Sequence, residues 1–120
     1  MLGDIALKYY KNGEGCYTCI LKACEEFYKT SLPREIYNMT AGLGNGFGVN
    51  GMCSAVVTGI MFISYYFKTD EARMKCARIY FLDKIHEKFG TTCCGKLQKC
   101  CKKIIYESGE ALEETLNKYG

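Results

Sequence analysis

The sequence predicts an all-α fold, a single-domain bundle of five to six helices with a glycine-rich loop before a central apolar helix. Three observations support this class. The 120 residues contain one proline, apolar residues recur at helical spacing in several segments, and no segment shows the sustained alternation typical of a half-buried strand. Since a chain of this length can bury a real core as one domain, we expect one all-α, cysteine-rich domain over residues 1–120.

The first three helices are predicted from periodicity and end signals. Residues 2–10 predict a short helix that stops at the sequence NGEG. Residues 16–28 predict a second helix, because an apolar stripe runs along them. This stripe consists of Cys16, Ile20, Ala23, Cys24 and Phe27. The sequence SLPREIYNM predicts a third helix, with Pro33 in its first turn and Ser31 as a candidate cap.

A glycine-rich segment separates these helices from the most apolar part of the sequence. This segment, AGLGNGFGVNG, holds five glycines between Gly42 and Gly51 and is called the glycine loop below. Residues 52–67 follow it and predict the central apolar helix. A further helix begins after a threonine or aspartate cap in TDEARM and ends at Gly90. The last predicted helix extends from the TTCC sequence to near Tyr119.

Charge and hydropathy exclude several classes of function. The net charge is +3, acids and bases are well mixed, and no basic run is interleaved with aromatic residues, so nothing indicates nucleic-acid binding. The apolar segment is short for a membrane span and contains Ser54, Thr58 and Ser64, which favours a buried helix. The N-terminus lacks the features of a signal peptide, so we expect a protein of the cytoplasm with no membrane association.

The nine cysteines require an explanation. An odd number without an export signal argues against a disulfide framework, and in a reducing compartment this density indicates metal, cluster or redox chemistry. Cys24 and Cys76 are interpreted as small buried hydrophobic residues.

The one histidine, His86, lies among charges near a helix end and is interpreted as a surface residue. Because nothing pairs it with a particular cysteine, no Cys-His nucleophile arrangement is supported. Whether the chain is an enzyme stays open.

Cysteines are predicted at three separate helix starts. Cys16 follows a glycine, Cys53 follows the glycine loop, and Cys93 and Cys94 follow two threonines that are candidate caps. At a helix start, free backbone N–H groups and the positive end of the helix dipole favour a thiolate or a thiolate-bound anionic cluster.

The last predicted helix contains two pairs of cysteines seven residues apart. Cys94 and Cys101 continue an apolar line, whereas the line through Cys93 and Cys100 reaches Glu107 and lies nearer solvent. The inward line continues through Ile104, Ser108, Ala111 and Thr115. We therefore expect Cys94 and Cys101 to face the core. On one helix they lie about 10 Å apart along the axis, too far for a disulfide but not for two ligands of a multi-iron cluster.

No common local motif explains the cysteines. Cys16 and Cys19 form the one C-x-x-C pair, but a thioredoxin-like site needs a βαβ pattern and a zinc ribbon needs a second pair. The closely spaced ferredoxin run is absent as well. The glycine loop lacks the residues of a phosphate site. A plain turn and a close approach of backbone N–H groups to sulfur ligands both stay open for it, and the adjacent Cys53 favours the second.

Four motifs together resemble one family. The sequences GEGCYTCILKA, GFGVNGMCSAVVTG, FGTTCCGKL and CCKKIIYESGEAL are similar to the successive landmarks of the C-GCAxxG-C-C proteins, redox-active proteins of anaerobic bacteria and archaea. The resemblance extends over nearly the whole chain. It implies four ligand positions, which fall on Cys16, Cys53, Cys94 and Cys101. The chain departs from the family pattern at Ser54, where a glycine is usual. Similarity of the family to the cluster-bearing part of split-Soret cytochromes implies an iron–sulfur cluster.

The leading hypothesis is a small all-α iron–sulfur protein for electron transfer or redox sensing, with the four cysteines just named as ligands of a [2Fe–2S] or [4Fe–4S] cluster. Cys19, Cys93 and Cys100 are reserve candidates for a larger cluster, and Cys93 and Cys100 are alternatives for the last two ligand positions. One alternative is a metal-free thiol–disulfide oxidoreductase with cysteines of low pKa. Another is an interaction module stabilised by zinc. We expect a redox partner protein, and a homodimer stays open.

Overall fold

Helices make up most of the computed structural model, which describes residues 1–97 and 100–120. Within those residues the structure has seven α-helices and no β-strand, which confirms the predicted all-α class. The helices are α1 (Leu2–Lys11), α2 (Cys19–Tyr28), α3 (Arg34–Thr40), α4 (Ser54–Phe67), α5 (Glu71–Phe89), α6 (Cys94–Leu97) and α7 (Cys101–Tyr119).

Helix α4 is central in the core because most of its length is apolar. Val56, Phe62 and Ile63 are buried, and α2, α5 and α7 pack around the helix. Gly59 allows the Phe81 ring of α5 to approach closely, since a Cβ at this position would lie 2.6 Å from the ring. α4 has 14 residues, and no helix within residues 1–97 and 100–120 is long and apolar enough to cross a membrane.

The ends of α5 follow the predicted signals, whereas the start of α3 does not. Asp70 caps α5, with its side chain accepting a hydrogen bond from the Arg73 N–H at 3.1 Å. Gly90 ends the helix with a φ of 68°. In α3, the residue just before the helix is Pro33 and no side chain caps the first turn. The expectation that Ser31 caps this helix is therefore wrong.

Two other predicted helices are shorter in the structure. α2 begins at Cys19 rather than at Cys16, so Cys16 lies before the helix. The helix predicted from the TTCC sequence onwards is described as two helices, α6 and α7. Gln98 and Lys99, which the prediction places inside it, lie outside the described residues. This division is one reason why the structure has more helices than the five to six expected.

Candidate functional site

One small cavity brings four cysteines together. Its volume is about 50 Å³, and it is bordered by the starts of α4, α6 and α7. Its lining consists of Cys16, Asn45, Cys53, Ser54, Cys94, Leu97, Cys101, Ile104 and Ile105. These four cysteines are the ligands proposed from the sequence, whereas Cys19, Cys93 and Cys100 are not part of the described lining. Within residues 1–97 and 100–120, no three His, Cys, Asp or Glu side chains form a group that could hold one metal ion.

A contact between two loops positions Cys53 and Cys94. The loops form an isolated antiparallel β-bridge. The Cys53 N–H donates to the Thr92 carbonyl oxygen at 2.7 Å, and the Cys94 N–H donates to the Gly51 carbonyl oxygen at 2.6 Å. Two segments that are distant in the sequence are thereby fixed to each other at the cavity wall, and each carries one cysteine into it.

Cys16 reaches the cavity from the turn that precedes α2. The expectation that it lies in the first turn of a helix is therefore wrong. The Cys16 Sγ lies 2.9 Å from the Ser54 Oγ. Because Ser54 is the buried first residue of α4, this contact connects the turn before α2 to the helix that begins next to Cys53.

Cys94 and Cys101 are the first residues of α6 and α7. They begin two different helices, so the axial distance expected for a single helix does not describe them. The Tyr10 hydroxyl of α1 donates a hydrogen bond to the Cys101 sulfur. The inward line of α7 is buried as predicted from Ile104 onwards, at Ile104, Ser108, Ala111 and Thr115. Cys94 and Cys101, which the prediction also places on this line, are half-buried.

Backbone N–H groups from α4 reach the Cys53 sulfur. Burial is the largest influence on this group and raises the pKa of Cys53, whereas hydrogen bonds from the Ala55 and Val56 N–H groups lower it. These donors belong to the first turn of α4, and the Val56 N–H also donates to the Cys53 carbonyl oxygen at 3.0 Å. The start of α4 thus partly offsets the cost of a negative charge on Cys53.

The glycine loop folds back on itself next to the cavity. The Gly51 N–H donates to the Gly46 carbonyl oxygen at 2.8 Å. Gly46 has a φ of 58°, and a Cβ on it would lie 2.4 Å from the Gly51 nitrogen, so a side chain does not fit there. The close approach in the loop is therefore between two of its own glycines. It holds Gly51 where the carbonyl group pairs with Cys94, and the donors that reach Cys53 come from α4.

Burial and neighbouring sulfur atoms make Cys53, Cys94 and Cys101 harder to ionise. Burial raises the pKa of Cys94 and of Cys101, and the proximity of Cys16 raises both further. Cys16 also raises the pKa of Cys53. Because thiolates in one cavity repel each other at low dielectric, we expect Cys53, Cys94 and Cys101 to keep their protons at neutral pH until a cation offsets the charge.

The cysteines outside the cavity differ in exposure. Cys24 is buried as predicted, but Cys76 is exposed, so its interpretation as a buried hydrophobic residue is wrong. Cys93 is exposed and Cys100 is half-buried. His86 is exposed near the end of α5, as predicted.

Cys19 lacks the properties of a thioredoxin-like nucleophile. Its Sγ donates to the Gly15 carbonyl oxygen at 3.1 Å, and burial raises its pKa to about 12. Reactive cysteines in such pairs have a lowered pKa, since the thiolate is the attacking species. The C-x-x-C pair therefore shows no activated Cys19 thiol.

We expect the thiols of the metal-free protein to react with iodoacetamide in the order of their exposure and pKa. At pH 8, a group with a pKa of about 12 is ionised to about one part in ten thousand. Cys76 and Cys93 are therefore labelled first and Cys19 and Cys24 last, as followed by peptide mass spectrometry. The urea-unfolded chain, in which all nine cysteines react, serves as the control. Labelling of Cys19 as fast as Cys76 would contradict the burial described.

Sequence patterns do not reveal every residue at the site. Tyr10 belongs to the first helix and has no pattern that connects it to Cys101. Ser54 has one usable signal, its place directly after Cys53, but the sequence does not indicate that its hydroxyl reaches Cys16. Both contacts depend on how the helices pack.

The fold and the grouped cysteines define a cysteine-rich, all-α protein in which four cysteines line one cavity. The sequence model of a family described as "Putative redox-active protein (C_GCAxxG_C_C)" matches residues 15–115. The chain therefore belongs to this family of redox-active proteins. No curated protein and no solved structure matches the chain.

Proposed function

We propose that this protein binds an iron–sulfur cluster through Cys16, Cys53, Cys94 and Cys101 and acts in electron transfer or redox sensing. The observation that carries the proposal is the cavity, which is lined by four cysteines from four separate places in the sequence. Thiolates are soft ligands that favour iron–sulfur clusters, zinc and Cu(I). Membership of a redox-active family favours the cluster among these.

The surroundings of the four cysteines suit an anionic group. The first turn of α4 supplies N–H donors to the Cys53 sulfur. Leu97, Ile104 and Ile105 provide buried apolar walls, which limit the access of water and influence the reduction potential. A volume of about 50 Å³ corresponds to one or two water molecules. We therefore expect the walls to move outward when a cluster is loaded.

A bound cluster supplies a centre that accepts and releases single electrons. The residues of the chain position the sulfur atoms, and the surroundings of each thiol determine how easily it loses its proton. Each of the four thiols loses its proton when it becomes a ligand. Because burial and mutual repulsion raise the pKa of Cys53, Cys94 and Cys101, we expect loading to release protons and to weaken as the pH falls.

The test is an anaerobic purification followed by an absorbance spectrum and by assays of iron and acid-labile sulfide per chain. Broad visible absorbance with matched iron and sulfide supports the proposal, and the ratio indicates the type of cluster. A colourless protein that does not take up a cluster on reconstitution overturns it. One zinc per chain, with unfolding on chelation, would instead indicate a structural zinc site.

We expect Ser54→Ala to lower the reduction potential of the loaded protein. When Cys16 is a ligand and carries no proton, its contact with Ser54 at 2.9 Å can only have the hydroxyl as donor. Hydrogen bonds to ligand sulfur atoms stabilise the reduced, more negative cluster. The measurement is a spectroscopic redox titration. Ser64→Ala is the control, since this exposed serine lies on the same helix and its hydroxyl donates to the Ile60 carbonyl oxygen, away from the cysteines. An unchanged potential in Ser54→Ala would exclude this role.

A further inference from the structure

The surface beside the cavity combines exposed apolar side chains with lysines. Val49 and Phe47 in the glycine loop are 76% and 47% exposed, and they belong to the few large apolar side chains that the described structure leaves in solvent. Phe47 also has a φ of 66°, which is strained for a bulky residue. An exposed aromatic ring held in a strained conformation indicates a role outside the core.

This part of the glycine loop is directly connected to the cysteines. Asn45 lines the cavity, and the Gly51 carbonyl group accepts the hydrogen bond from Cys94. The loop also contacts α6, because a Cβ on Gly95 would lie 3.1 Å from the Asn50 Cβ. Phe47 and Val49 are therefore close in the fold to the residues that would hold a cluster.

Lysines follow the cavity residues of α6 and α7 in the sequence. Residues 36–67 contain no charged side chain, and residues 90–106 contain four lysines and no acidic residue. Lys96, Lys102 and Lys103 are exposed. Among the ion pairs between described residues, none involves these three lysines, and the Lys103 Nζ lies 6.0 Å from the centroid of the Phe89 ring.

We propose that Phe47, Val49, Lys96, Lys102 and Lys103 form a docking surface for an acidic electron-carrier protein; this inference rests on the proposed cluster site beside them. Complementary charge steers such a partner and raises the association rate, and a small apolar patch suits the limited interfaces of transient redox complexes. A second copy of this chain fits less well, because a twofold interface would place lysines opposite lysines. The partner presents carboxylates around an apolar centre.

The experiment measures binding of an acidic flavodoxin, used as the probe, to the metal-free and the cluster-loaded chain at increasing salt. Lys96→Glu combined with Lys102→Glu is compared with Lys29→Glu combined with Lys75→Glu, which changes the net charge equally through exposed lysines elsewhere. We expect the first pair to weaken binding about tenfold at low salt and the second pair to have little effect.

Basic cytochrome c, as a second probe, should not bind. The expected effect of Phe47→Ser is weaker binding with an unchanged salt dependence.

Several results would overturn the docking surface. Equal weakening by both charge-reversal pairs would mean that only net charge matters. Binding of cytochrome c, or no binding of flavodoxin, would exclude an acidic protein as the partner. A dimer that the Lys96 and Lys102 changes disrupt would assign the surface to a second copy, and binding to anionic vesicles alone would assign it to lipid. Because binding is also measured on the metal-free chain, failure to load a cluster would count against the proposed function and would leave this test intact.

Discussion

Cys53→Ser is expected to abolish the visible absorbance of the protein after anaerobic reconstitution with iron and sulfide. Cys53 lines the cavity, and its sulfur accepts hydrogen bonds from N–H groups at the start of α4. Its backbone N–H donates to the Thr92 carbonyl oxygen, in the loop that leads to Cys94. A hydroxyl group is a much poorer ligand for iron in a cluster than a thiolate. The absorbance spectrum and the iron content per chain are the measurements.

The variant is informative because it should still fold. Cys53 is the residue directly before α4, and serine is among the preferred residues at that position of a helix. Circular dichroism and the unfolding transition should therefore remain close to those of the unchanged chain. Cys76→Ser is the matched control, since Cys76 is exposed on α5. Full absorbance in Cys53→Ser, or equal loss in Cys76→Ser, would remove Cys53 from the proposed site.

The reserve candidates can be separated in the same way. Cys93→Ser and Cys100→Ser are predicted to retain the absorbance that Cys94→Ser and Cys101→Ser lose, because only the second pair lines the cavity. Iron content distinguishes a lost cluster from one of changed colour. Loss in Cys93→Ser together with retention in Cys94→Ser would reverse the assignment of the last two ligands.

The features that the sequence predicts well are those with a local cause. An apolar face repeated along a helix fixes which side is buried, so the inward line of α7 is correctly predicted down to Thr115. Asp70 and Gly90 mark the ends of α5 because capping and a left-handed C-terminal residue are local properties. Membership of the redox-active family follows from the order of the cysteine motifs along the chain.

The features that the sequence does not predict depend on contacts between distant segments. A bridge between the residues next to Cys53 and Cys94 is too short to produce any periodic pattern. Cys76 is misassigned because the apolar residues of α5 are compatible with two faces. Packing buries the face of Ala77, Phe81 and Ile85, so Cys76, one residue away, points outward.

Gly109→Ala is expected to destabilise the fold by about 1–3 kcal/mol, the usual cost of an extra methyl group in a tightly packed core. A Cβ on Gly109 would lie 2.6 Å from the Gly3 Cα and 2.9 Å from the Gly3 nitrogen. Both atoms are backbone, so α1 must move about 1 Å away from α7 to restore ordinary contact. The result is measurable as a lower midpoint of urea unfolding.

The sign of this effect tests the contact between α1 and α7, because glycine-to-alanine changes inside a helix otherwise stabilise by about 1 kcal/mol. Gly42→Ala is the control, since no atom other than those of its chain neighbours lies within 4 Å of the added Cβ, and it should not destabilise the fold. Movement of α1 would also weaken the bond from the Gly3 N–H to Glu110, which is 2.9 Å long. It would displace Tyr10, the donor to Cys101, so a change at the helix contact should reach the cysteine site. A stabilised Gly109→Ala variant would mean that the two helices do not pack this closely.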